Sequence, residues 1–282
     1  MPQAVVPAKA GTHGPPLSRG RLLRGLVLAF SFAFTSAALP ADDPYPWIAA
    51  AYAVKRDGVL LWAGQPDARL PPASLAKLMT ALLALERGKL DETVTVGKGV
   101  LQSSGTRIGL KPGEKARAGD LLAASVVRSA NDACRALADF LHGKDFVSKM
   151  NDRAAALGMK NTRFVDPCGH DRPGQYTSAA DLLRLAEEVM KHPEYMRLAR
   201  LDKVSFQMLD SDRKYTLRNT NALIGRYEGA IGLKTGYTEG AGNCLVALAE
   251  RDGVRVLAVL LNAPNRWWNA VGLLDRAFEA AR

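Results

Sequence analysis

Two Asp-Gly pairs near opposite ends of the sequence constrain what this chain can fold into more than any other feature. Asp57-Gly58 separates the β-favouring run Ile48–Val54 from Val59–Ala63, and Asp252-Gly253 separates Cys244–Glu250 from Val254–Asn262. A two-residue Asp-Gly link suits the tight turn that joins antiparallel strands, because both positions accept positive φ. Val204–Met208, Lys214–Arg218 and Gly229–Leu233 add further extended segments late in the chain. Between the two ends the pattern is helical. The expectation is an α/β (α+β) fold: an antiparallel sheet formed by both chain ends, flanking helices, and a helical lobe from about residues 100–200.

The helices can be placed by their punctuation. Leu75, Leu78, Met79, Leu82, Leu83 and Leu85 recur at helical spacing from Ser74 onward, and Gly88 supplies the stop. Asp120 reads as the cap of a helix over Leu121–Val127, Asn131 opens one running to Leu141, Phe146–Leu157 ends at Gly158, and Ser178 caps the segment to Lys191. Val94–Val96 reads as a short strand, and the turn-rich stretch Gln102–Arg107 as the rim of a cleft. Trp267–Ala281 is an amphipathic helix, with Trp267 and Trp268 read as packing residues.

One stretch carries chemistry. Ser74 and Lys77 are three apart at a helix start, so a hydroxyl and an amine share one side of the first turn. The unpaired N–H groups of a helix N-terminus favour negative charge, and a neutral lysine beside a serine can take its proton. Ser-x-x-Lys also occurs at Ser211–Lys214, in a polar turn with no apolar helix behind it, and that copy is set aside. Two further patterns stand in matching contexts: Ser129-Ala-Asn131 at a junction between helices, and Lys234-Thr-Gly236, followed by Tyr237, after the extended run Gly229–Leu233.

The N-terminus reads as a leader. Arg19, Arg21 and Arg24 precede the apolar run Gly25–Phe34, and small residues follow to Ala41, the layout of a secretory signal peptide over 1–41. Those residues hold four basic side chains and no acidic ones, so removing them changes the balance from 38 against 28 to 34 against 28, a net charge of +6 instead of +10. A surplus that small, without basic runs, argues against nucleic acid and fits work near an anionic envelope. Cys134, Cys168 and Cys244 are odd in number and widely spaced; no disulfide and no metal site is expected, and Cys134 and Cys244 read as small core residues.

Pro72–Ala81, Leu110–Glu114, Ser129–Asp139, Leu157–Phe164 and Gly232–Gly242 together resemble the serine D-alanyl-D-alanine carboxypeptidases, the low-molecular-mass penicillin-binding proteins of peptidase family S11. The resemblance covers roughly residues 45 to 280. It implies a β-lactamase/DD-peptidase-like fold, a catalytic domain over 42–282, and removal of the terminal D-Ala from peptidoglycan stem pentapeptides through an acyl-enzyme, with β-lactams as covalent inhibitors and no cofactor. It implies Ser74 as nucleophile, Lys77 as base, Ser129 and Asn131 as proton relay and substrate holder, and Lys234 and Thr235 as the carboxylate-binding pair of the Lys234-Thr235-Gly236 motif. The N–H groups of Ser74 and Tyr237 would form the oxyanion hole. Membrane-held members carry a further β-rich domain and a terminal amphipathic helix, whereas this sequence ends at Arg282; the expectation is a periplasmic or envelope protein with no stable membrane anchor after signal cleavage. No Glu-x-x-x-Asn segment after Ser129 is read as one that activates a deacylating water as in class A β-lactamases, so β-lactamase action is not expected, and Asp166-Pro-Cys168 reads as a loop that only shapes the chain. A DD-endopeptidase and a catalytically inactive wall-binding protein are the alternatives.

Overall fold

The two Asp-Gly turns form as expected. In the computed structural model, which describes residue 45 and residues 47–280, Asp57 and Gly58 both take positive φ, as do Asp252 and Gly253. They close the hairpins β1 (Ala51–Arg56) to β2 (Val59–Gly64) and β8 (Gly242–Arg251) to β9 (Val254–Leu261). The expected signal peptide lies outside the described residues.

β1 pairs antiparallel with β9, so strands from the two ends of the chain lie side by side, and the five-stranded sheet runs β2-β1-β9-β8-β7. β7 (Ala230–Thr238) is an edge strand. It runs straight through Lys234–Gly236, so that motif lies on a strand at the sheet edge. Both faces of the central strands are buried, which is why their sequence reads as continuous apolar runs and not as alternation. On β8, Val246 and Leu248 enter one core while Leu245, Ala247 and Ala249 enter a second. The second core is closed by α7 (Arg266–Glu279) through Ala270, Leu273, Leu274 and Ala277.

The larger core lies on the opposite face and collects the remaining helices. α1 (Lys77–Arg87) runs through it and ends where Gly88 turns left-handed, at φ +71. α2 (Ala118–Val127), α3 (Asn131–Leu141) and α4 (Phe146–Ala156) surround α1, while α5 (Ala179–Met190) packs on β1 and β9. Ser178 caps α5 by accepting from the Asp181 N–H. Asp120 is not a cap: α2 begins at Ala118, and Asp120 stands in its first turn. A seven-residue helix with Pro193 at its first position, α6 (Pro193–Ala199), escaped the pattern because it is shorter than the periodicity needs.

Two small antiparallel pairs complete the fold. β3 (Thr93–Thr95) pairs with β4 (Lys115–Arg117), and β5 (Lys203–Gln207) with β6 (Lys214–Arg218). Trp267 is half-buried under the Arg266 guanidinium, but Trp268 is 80% exposed, so only the first of the two tryptophans packs.

Candidate active site

Ser74 is placed by crowding. It sits in a 3-10 turn, Ala73–Ala76, that leads directly into α1. Ala73 is held at φ +47, a conformation that costs an alanine energy and persists only where neighbours fix it. Two glycines press on this turn. A Cβ on Gly169 would lie 1.8 Å from the Ala73 carbonyl oxygen, and one on Gly236 would lie 3.0 Å from Ala73 Cβ and 3.2 Å from the Ser74 nitrogen. Without side chains, the loop at 169 and strand β7 can both reach the turn.

Lys77 is buried behind Ser74, and its ammonium has three partners. Nζ lies 2.9 Å from Ser74 Oγ, 2.6 Å from Asn131 Oδ1 and 2.5 Å from the Cys168 carbonyl oxygen. Three N–H groups meet three acceptors. When one proton leaves, the two carbonyl-type oxygens still require N–H donors, so the lone pair faces Ser74, the only partner with a hydrogen to give. Burial pushes this lysine down to about 7, against the opposing pull of the Asp166 carboxylate.

Asn131 is the first residue of α3, and its Nδ2 donates to the Ser104 carbonyl at 2.5 Å while its backbone N–H donates to Thr106. The neighbouring Asp132 accepts the backbone N–H groups of Ile108, Gly109 and Leu110. These bonds pin the rim loop to the head of α3. Ser129, two residues earlier in the link between α2 and α3, is held at φ +59 and accepts from Lys234 Nζ at 2.7 Å.

Lys234 comes from β7 on the other wall. Its Nζ also donates to the Thr235 carbonyl oxygen at 2.9 Å, and burial, then the charges of Lys77 and Arg266, hold its pKa well below the ordinary lysine value. Two buried amines therefore stand at one cleft, and the Lys77 charge adds to burial in disfavouring the charged form of Lys234. Thr235 Oγ1 lies 2.8 Å from Thr220 Oγ1. Tyr237, beyond them on the strand, is 61% exposed. All eight residues singled out in the sequence thus converge: Ser74, Ser129, Asn131, Thr235, Gly236 and Tyr237 line a cleft of about 620 Å³, while Lys77 and Lys234 stand behind Ser74 and Ser129.

Several residues of the site have no motif to announce them. Arg266, the first residue of α7, lines the cleft and donates to the Gly236 carbonyl oxygen at 2.6 Å. A cation at a helix N-terminus opposes the dipole, and burial lowers its pKa further, so its position is unfavourable for α7 alone. Thr220 lies just past β6, where no local pattern marks it. Asp171 bridges the loop to the end of β7 by accepting from Thr238 Oγ1 and the Gly240 N–H.

Two expectations are corrected here. Cys134 and Cys168 form a disulfide, their Cα atoms 5.9 Å apart; only Cys244 is a free, buried cysteine among the described residues. Odd number and wide spacing concealed the pair because the helix α3 and the 166–170 loop meet only in three dimensions. That loop also does more than shape the chain. Burial opposes ionisation of Asp166, but hydrogen bonds from the His170 ring, the His170 and Cys168 N–H groups, and the charge of His170 hold its carboxyl at about 2. The fixed loop then presents the Cys168 carbonyl to Lys77.

Comparison with known proteins gives a consistent picture. The family model described as D-alanyl-D-alanine carboxypeptidase, of peptidase family S11, matches residues 46–265. The chain is 37% identical over 237 residues to the D-alanyl-D-alanine carboxypeptidase DacF of Bacillus subtilis, an alignment spanning 80% of this chain and 61% of that protein. It is 32% identical over 252 residues to DacB2 of Mycobacterium tuberculosis, spanning 86% and 85% of the two chains. The ampicillin-bound penicillin-binding protein D2 of Listeria monocytogenes is similar in structure, with a TM-score of 0.74 and 33% identity over 84% of this chain and all of that one. The Streptomyces K15 DD-transpeptidase superposes with a TM-score of 0.78 and 29% identity, over 83% and 98%.

Proposed function

This chain belongs to the D-alanyl-D-alanine carboxypeptidase family, peptidase S11, and from that premise we propose that it is a serine acyl-enzyme hydrolase that removes the terminal D-Ala from peptidoglycan stem pentapeptides. The observation that carries the reading is the Lys77 ammonium, buried, brought to about 7, and set 2.9 Å from Ser74 Oγ with only carbonyl-type oxygens as its other partners.

In this reading Lys77 takes the Ser74 proton as Oγ attacks the carbonyl of the penultimate residue. The oxyanion that forms is met by the N–H groups of Ser74, in the 3-10 turn, and of Tyr237, which follows the Gly236 that packs against that turn. Ser129, hydrogen-bonded to Lys234, passes a proton to the departing amine, and Asn131 holds the peptide from the opposite wall. Thr235 and the cations Lys234 and Arg266 favour a substrate that ends in a carboxylate. Water then attacks the Ser74 ester. A β-lactam offers the same carbonyl and carboxylate and acylates the same oxygen. Secretion by the 1–41 leader would deliver the protein to the envelope; among the described residues no helix is long and apolar enough to cross a membrane.

Intact-mass analysis after incubation with penicillin G, with peptide mapping, tests the reading directly. The expected result is one adduct on Ser74 and release of D-Ala from a stem pentapeptide. An adduct without D-Ala release but with cleavage of cross-linked dimers would reassign the substrate to an endopeptidase. No adduct at all would leave a non-catalytic wall-binding protein.

A further inference from the structure

The Cys134–Cys168 disulfide lies directly behind the general base, joining the two segments that supply its fixed hydrogen-bond acceptors. Cys134 is three residues past Asn131 on α3, so both side chains share one side of that helix. Asn131 gives Lys77 one acceptor, Oδ1, and Cys168 gives the other, its own carbonyl oxygen. The segment around Cys168 has no helix or strand of its own. It is held by the Asp166 side chain, by Thr80 Oγ1 donating to the Pro167 carbonyl at 2.6 Å, and by the disulfide to α3. The disulfide is fully enclosed: Cys134 is 0% and Cys168 2% exposed.

We propose that the Cys134–Cys168 disulfide is a positioning device for Lys77, which keeps the Cys168 carbonyl in place so that the amine's lone pair points at Ser74, and that the protein acylates at full rate only in its oxidised form. The inference rests on the acyl-enzyme reading above. The neutral amine has two N–H groups, and they are committed only while both carbonyl-type oxygens remain. If the Cys168 carbonyl withdraws, an N–H can swing toward Ser74 Oγ, and the nucleophile loses its base without losing a single catalytic side chain. Loss of alignment of about an ångström can cost on the order of a hundredfold in rate. Reduction by a dithiol is a balanced exchange: the S–S bond takes two electrons and two protons and becomes two thiols, while the reductant closes its own disulfide. An envelope compartment that is oxidising favours the bonded state.

The test compares oxidised wild type with Cys134→Ala, Cys168→Ala and the double variant, measuring the rate of acylation by a fluorescent penicillin across pH 5.5–9.5, below each variant's melting temperature. The expected result is a fall of about tenfold or more, equal in all three variants because they break one shared bond, with the midpoint of the pH dependence displaced from the wild-type value. Wild type reduced with dithiothreitol should match them and recover on reoxidation. Rates equal to wild type, or a fall that merely tracks the folded fraction with an unmoved midpoint, would overturn the positioning role. Oxidised wild type that forms no adduct overturns the acyl-enzyme reading instead, so the two failures are distinct.

Discussion

A lysine buried at the head of α1 is costly to the fold and useful to the site for one physical reason: water is absent. Its pKa falls from 10.5 when solvated to about 7 when buried, so the unfolded chain binds a proton that the folded chain lacks between those two values. Stability therefore rises with pH across that window, and the full cost of burial is present below about pH 7. Lys77→Met removes the group, and its stabilising effect relative to wild type should shrink by up to about 3 kcal/mol between pH 7 and pH 9, read by denaturant melts at each pH. Lys77→Met should lose nearly all acylation even where it gains stability. In wild type, acylation should climb as pH rises through about 7, because only the neutral amine can accept the Ser74 proton. Ser74→Ala should form no adduct at any pH.

At the level of elements, the site depends on how close strand β7 comes to the turn before α1. Gly236→Ala puts a methyl 3.0 Å from Ala73 Cβ and 3.2 Å from the Ser74 nitrogen. The strand is long and paired along its length with β8, so it should yield by a few tenths of an ångström without unfolding. Gly236→Ala should consequently melt near wild type while acylating about ten- to a hundredfold more slowly, since misalignment and not folding is the damage. The cap at the start of α5 offers the opposite outcome. Ser178 accepts from the Asp181 N–H at 3.2 Å. Ser178→Ala should cost about 1 kcal/mol in a urea titration and leave the acylation rate of the folded protein unchanged.

On the scale of the whole molecule, one sheet separates two cores, and its β7 edge borders the cleft. Leu274 is fully buried on α7 in the smaller core, on the face of the sheet away from α1. Leu274→Ala should destabilise the protein by about 2–5 kcal/mol, with the adduct rate per folded molecule preserved. If acylation collapsed well before the fold did, the two faces would be coupled more tightly than the packing implies.

What could be read from the sequence was local in origin. The Asp-Gly turns, the leucine spacing of α1, the serine cap of α5 and the three short motifs each depend on residues within one or two turns of each other. Those motifs and the tyrosine after the last of them picked out eight residues that converge at the cleft, though not the rest of its lining. Tertiary structure alone decided the rest. The Cys134–Cys168 bond, the carbonyl of Cys168 on Lys77, the Thr220–Thr235 contact and Arg266 at the cleft wall join segments 15 to 91 residues apart. None of these has a periodicity or a spacing, because a backbone carbonyl looks the same at every residue and a cysteine carries no mark of its partner. The depressed ionisation of Lys77 belongs to the same class: the side chain is written in the sequence, but the exclusion of water that lowers its pKa exists only once α1, α3 and the 166–170 loop have closed around it.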